Sequence, residues 1–139
     1  TAEIISAAAI DLALHEVSAA QAPAVSDIAA FERRSLQRLG LDLAVVPPRY
    51  HAQYFRHIFA SEYSAGYYAY LWSEVLARDT GQWLHQHGGL TRANGAVLRD
   101  RILSRGRSES PQRLFEQFYG RAPDVAPLLE YHGLSAGAP

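Results

Sequence analysis

Residues 50–81 read YHAQYFRHIFASEYSAGYYAYLWSEVLARDTG. Within this stretch Tyr67, Tyr68, Leu71, Trp72, Val75 and Leu76 recur at intervals of three and four, which predicts a helix that begins near Ser64 and weakens towards Gly81. No alternating run of the kind a strand needs interrupts it, and the same helical period governs the chain on either side. Ile4, Ile5, Ala8, Leu12 and His15 share one helical face, predicting a first helix over about 2–18 that stops at Gln21-Ala22-Pro23. Ser26 is placed to cap a second helix carrying Ile28, Phe31, Leu36 and Leu39, with Gly40 as its C′ residue. Pro47-Pro48 then imposes an extended loop. Downstream, Gly88-Gly89 turns the chain and Thr91 caps a helix through Leu98, Ile102 and Leu103 to Arg105-Gly106. Ser110-Pro111 pairs an N-cap with proline at the first helical position, opening a helix through Leu114, Phe115 and Phe118 to Gly120. Asp124 opens a last short helix with Leu128 and Leu129, ended by Gly133, and the tail 135–139 has no period and is expected to fray. The expectation is an all-α chain, residues 1–139 forming one helical domain or fragment.

Composition bounds the function. With 139 residues, 48% hydrophobic and 19% charged, the chain is ordinary globular material able to bury roughly two-thirds of its unfolded surface. A net charge of -1 offers no general attraction to nucleic acid or anionic lipid, so neither partner is expected. No apolar run reaches the roughly eighteen residues a bilayer span requires, and a membrane partner is not expected either. Without cysteine, disulfides and thiolate metal sites are excluded, which does not by itself assign a compartment; a cytoplasmic location is the expectation, a periplasmic one the alternative. The chain opens at Thr1, already in helical register and without methionine, which is the expectation for a piece of something longer.

The chemistry gathers in residues 50–72, which hold six of the eight tyrosines and two of the six histidines with few charges. A solvated face would carry charged side chains and a plain core would use aliphatic ones, because each buried phenol needs a hydrogen-bond partner. So many phenols and imidazoles together predict a polar-lined cavity. A phenol donates to a developing oxyanion or a substrate carbonyl without an unusual pKa, and His57 can do so through a ring nitrogen. Tyr63 and Tyr70, seven residues apart, would lie two turns apart on a continuous helix and point to one cavity, with Gly66 between them allowing close approach of a ligand. Arg49 offers a bidentate donor to a substrate carboxylate, although a salt bridge is its expected role.

Complete catalytic apparatus is missing. His15-Glu16 opens like a His-Glu-x-x-His zinc helix, but position 19 is Ala, so no metal ligands are expected in this chain. His85 and His87 are expected to be solvated beside the glycine pair.

The segments Tyr54-Phe55-Arg56-His57-Ile58-Phe59, Tyr63-Ser64-Ala65-Gly66-Tyr67-Tyr68-Ala69-Tyr70-Leu71-Trp72-Ser73-Glu74, Gly88-Gly89-Leu90-Thr91-Arg92-Ala93-Asn94-Gly95 and Phe118-Tyr119-Gly120-Arg121-Ala122-Pro123 carry a resemblance. Over nearly its whole length the chain resembles the C-terminal part of the thimet oligopeptidase and oligopeptidase A family of zinc metallopeptidases, in its peptidyl-dipeptidase branch. The resemblance implies a large helical parent that releases C-terminal dipeptides from peptides, with zinc held by an upstream His-Glu-x-x-His helix and a later glutamate. It further implies that His57, Tyr63 and Tyr70 contact the substrate backbone and stabilise the tetrahedral intermediate, so that the partners are a peptide substrate and the upstream zinc-binding part. The isolated chain is then expected to be inactive. Where the family usually shows a glycine pair before the first tyrosine, this chain has Ser61-Glu62. The alternative reading is a free-standing helical module whose aromatic groove binds a peptide without catalysis.

Overall fold

The computed structural model describes residues 1–134; the tail over 135–139, expected to fray, lies outside them. Among the described residues there are seven α-helices and no strand, so the class is all-α as the periodicity predicts. The helices are α1 (Ala2–Glu16), α2 (Ile28–Arg38), α3 (Arg56–Phe59), α4 (Ala69–Gln86), α5 (Arg92–Arg101), α6 (Pro111–Tyr119) and α7 (Ala126–Tyr131), with short 3-10 turns between several of them. No helix among the described residues is long and apolar enough to cross a membrane. The chain divides into two compact units, Thr1–Leu71 and Trp72–Pro139.

In the first unit α1 packs against α2. The inner face of α1 matches the one its apolar spacing selected only in part: Ala8 is buried and Ile4 packs on the core, but Ser6, Ala7, Ile10 and Asp11 are buried as well, whereas Leu12 is 38% exposed. The helix is rich in Ala, Ile and Leu nearly all the way round, so periodicity alone does not choose a face. What chooses it is close approach over Ala7 and Ala8, against which Phe55, Ile58 and Tyr67 form the core, flanked by Ile4, Leu14 and Tyr50. Helix α2 ends as expected, with Gly40 at φ 68, its N–H on the Gln37 carbonyl and the Leu41 N–H reaching back to Leu36. Its buried Glu32 accepts hydrogen bonds from the Ala52 N–H and pairs with His51 Nδ1 at 2.9 Å, tying the loop after the two prolines to the helix.

In the second unit the inner stripe of α4 is Val75, Asp79 and Trp83, spaced by four. The helix runs past Gly81 to Gln86, and the chain then reverses at Gly88 and Gly89, φ 86 and 89, whose N–H groups return to the His85 and Leu84 carbonyls. Only residues without a Cβ adopt that pair of left-handed conformations cheaply. Helix α6 supplies Leu114, Phe115 and Phe118 to the core and α7 supplies Leu128, with Phe118 4.6 Å from the Trp83 ring. Two of the three predicted N-caps form: Thr91 accepts from the Asn94 N–H at 3.2 Å and Ser110 from the Arg113 N–H at 3.3 Å, whereas Ser26 does not cap α2, which begins at Ile28 after Asp27, and its hydroxyl donates to Asp27 Oδ1 at 3.2 Å instead. Ser110→Ala is accordingly expected to lower stability by about 1 kcal/mol, with Ser110→Asp near wild type, as chemical denaturation will read.

Candidate active site

Between Pro48 and α4 the chain makes a 3-10 turn at Ala52–Tyr54, the single turn of α3, and then a run of turns up to Tyr68. Phe55 and Ile58 are fully buried and anchor this path to α1. His57, between them, lies among aromatic rings: its centroid is 5.0 Å from Tyr50, 5.7 Å from Tyr67 and 6.4 Å from both Tyr63 and Tyr70. Tyr63 and Tyr70 stack on each other, centroids 5.4 Å apart and planes 14° from parallel, and both keep partial exposure of 38% and 42%. The three residues singled out in the sequence are therefore neighbours. Among the described residues His57 Nδ1 is buried and has no hydrogen-bond partner.

They are brought together by another route than the one the spacing suggested. The helix expected from Ser64 starts only at Ala69, so Tyr63 and Tyr70 do not stand two turns apart on one rod. Ala65 sits in the left-handed region at φ 53, which no continuing α-helix tolerates. The Asp11 carboxylate takes the amides that helix bonds would otherwise use: Ala65 N–H donates to Oδ1 and Tyr67 N–H to Oδ2, each at 2.9 Å. The Ser64 hydroxyl donates to the Ile58 carbonyl at 2.7 Å and Gly66 N–H to the Tyr63 carbonyl at 2.8 Å, closing the turn. Ser61, at the position of the expected glycine pair, donates its hydroxyl to the His57 carbonyl. A methyl group at Gly66 would lie 3.4 Å from the Tyr63 carbonyl oxygen, an ordinary contact, so the backbone itself does not demand glycine there.

Two of the phenols, Tyr67 and Tyr70, are held in their protonated form. Hydrogen bonding with Tyr63, and then burial, raises the Tyr70 pKa above its ordinary value. Burial, and then Tyr50, raises that of Tyr67, with Arg49 opposing. Arg49, expected in a salt bridge, places its guanidinium 5.9 Å from the Tyr50 ring centroid and beside Tyr67. Its positive charge therefore serves the aromatic cluster.

Asp11 is the residue that reasoning from the sequence missed. It is wholly buried, and His15 Nδ1 lies 2.9 Å from its Oδ1 and 2.8 Å from its carbonyl oxygen. The signal was present: an aspartate in the middle of an apolar helix with a histidine four residues on. His85 and His87 are exposed, as expected, and His87 in addition stacks on Trp83 with centroids 4.0 Å apart and bonds the Trp83 carbonyl through Nδ1 at 2.8 Å. Among the described residues no three His, Asp or Glu side chains converge in an arrangement that could hold a metal ion.

The chain is all-helical, with His57 on α3, Tyr63 in the turns that follow and Tyr70 in the first turn of α4. Residues 1–134 match the model of peptidase family M3, and the chain belongs to that family. It is 47% identical to the dipeptidyl carboxypeptidase of Escherichia coli (strain K12) over 133 residues, 96% of this chain and 19% of the relative. The dipeptidyl carboxypeptidase of Salmonella typhimurium is 45% identical over 95% of this chain, again 19% of the relative. Oligopeptidase A of Escherichia coli (strain K12) is 48% identical over 80 residues, 58% of this chain and 12% of the relative. The chain thus spans about a fifth of the length of the dipeptidyl carboxypeptidases it matches.

Proposed function

We propose that this chain is the substrate-contacting part of a longer M3 peptidase that removes dipeptides from the C-terminus of peptides. The observation that carries the reading is the convergence of His57, Tyr63 and Tyr70 on one partly exposed aromatic surface, with the raised Tyr70 phenol able to donate. Hydroxyl donors held ready before the reaction stabilise charge that develops on a carbonyl oxygen, and they spend no energy reorganising when it does. The buried, unpartnered Nδ1 of His57 supports a binding role, since such a group in a native site calls for a partner. The peptide backbone is the ligand of matching chemistry, offering carbonyl acceptors and amide donors.

The residues described do not fit a zinc site, so the family's metal would be held by the upstream part of the longer protein. What this chain supplies is orientation of the peptide and hydrogen-bond donors to it. The isolated chain is accordingly expected neither to bind zinc stoichiometrically nor to cleave peptides, while the full-length protein with zinc releases dipeptides from a substrate with a free C-terminal carboxylate. Hydrolysis assays on both forms, with metal analysis of the isolated chain, check this. Peptide binding by the isolated chain combined with no hydrolysis by the full-length protein would instead establish a binding module.

A further inference from the structure

We propose that Asp11 is a positioning residue for the tyrosine pair: its buried carboxylate fixes the turn between Tyr63 and Tyr70 and so sets where both hydroxyl groups stand. The proposal rests on the reading of Tyr63 and Tyr70 as substrate-facing donors. Asp11 itself contacts neither phenol by any hydrogen bond; it acts through the backbone, taking the Ala65 and Tyr67 amides on its two oxygens at 2.9 Å each. These are the only two amides in that span that a single carboxylate clamps, and they flank Gly66, midway between the two tyrosines. Without that acceptor, Ala65 has no reason to remain at φ 53, because a non-glycine residue in the left-handed region is held there only by its surroundings. Helical conformation would then be open to residues 64–68, rotating Tyr63 away from Tyr70. His15 Nδ1 lies 2.9 Å from Oδ1, the oxygen that takes the Ala65 amide, and helps hold the carboxylate in place. The register of a surface loop is thereby copied from α1, the most deeply packed helix of its unit.

The test is made on the full-length protein. Asp11→Asn keeps the shape but turns one acceptor into a donor that faces an amide N–H. It is expected to lower kcat about tenfold with KM changed by less than about threefold, since misplacing a donor by a fraction of an ångström costs more in the transition state than in binding. In a Tyr70→Phe background the same substitution is expected to cost little more, because residues that act through one another are not additive. A merely structural loss would lower kcat by the same factor in both backgrounds. Hydrogen exchange of the segment 62–70 is expected to quicken at least about tenfold in Asp11→Asn, with the rest of the protein unchanged. If Asp11→Asn does not fold, His15→Leu, which removes the outer anchor, is expected to give a two- to threefold version of the same kcat loss. Wild-type kcat in both variants, an equal loss in both backgrounds, or unchanged exchange of 62–70 would overturn the proposal. A silent Tyr70→Phe would instead overturn the reading of the site, and the role of Asp11 with it, whereas a damaged Tyr70→Phe beside an unaffected Asp11→Asn removes Asp11 alone.

Discussion

Tyr70→Phe in the full-length protein is expected to lower kcat on the order of a hundredfold while KM moves by only a few-fold. The substitution deletes one oxygen and leaves the ring, so the 5.4 Å stack on Tyr63 and the contact with Tyr67 at 5.0 Å survive. On the proposed role, what is lost is a donor whose worth would rise as negative charge builds on the substrate oxygen, so turnover should suffer more than ground-state binding. Both raised phenols keep their protons throughout the neutral range, so neither should impose a pH limit on activity until conditions more alkaline than the ordinary tyrosine value of about 10. Steady-state kinetics on a peptide with a free C-terminus check the prediction. An unchanged kcat removes Tyr70 from the chemistry, and an unchanged kcat with a large rise in KM makes it a binding contact only.

The physical basis of that prediction was legible in the sequence to an uneven degree. The helices and their ends were written in local signals: Ser110-Pro111, Thr91, Gly40 and Gly88-Gly89 each act within a few residues, and each acts where expected. The gathering of phenols in residues 50–72 was visible too, because it is a compositional fact. Their arrangement was not. Helical period across Tyr67, Leu71 and Val75 extends naturally back to Ser64, and nothing local shows that an aspartate 54 residues earlier in the chain takes the Ala65 amide. The inner face of α1 escaped in part, for a related reason: its large side chains are distributed all round, and the close approach over Ala7 and Ala8 is set by what packs there. Long-range polar anchors are invisible to a period. A charged residue in an apolar helix is the trace they leave.

Asp79 is a second wholly buried aspartate, on a helix that also carries Glu74 and Arg78, and breaking its pair with Arg121 is expected to be the most damaging single change to stability in the second unit. It lies wholly buried in the inner stripe of α4, and both its oxygens are engaged by Arg121, at 2.6 and 2.8 Å, with the Asp124 N–H adding a third bond at 2.8 Å. Arg121 is shared further: it donates to the Ala122 carbonyl at 2.8 Å and lies 3.7 Å over the Tyr119 ring, and its hydrogen bond to Asp79 raises its own pKa further. The pair therefore joins α4 to the turn that connects α6 and α7. Breaking a buried pair from one side costs about 3–5 kcal/mol, because the surviving charge is stranded. The two sides are not equal here. Asp79→Ala leaves Arg121, whose side chain is 36% exposed and can reach water, so about 3 kcal/mol is expected. Arg121→Ala leaves the carboxylate with no exposure at all and should cost nearer 5 kcal/mol. Arg121→Lys should recover little, since an ammonium cannot serve both oxygens in the fork geometry. Arg105→Ala, which removes an exposed partner of Glu109, is expected to change stability by less than about 0.5 kcal/mol under the same denaturant titration. Equal losses for Arg121→Ala and Arg105→Ala would mean that the α4 anchor is no stronger than a surface contact, and that apolar packing of Trp83, Phe115 and Phe118 holds the unit together without it.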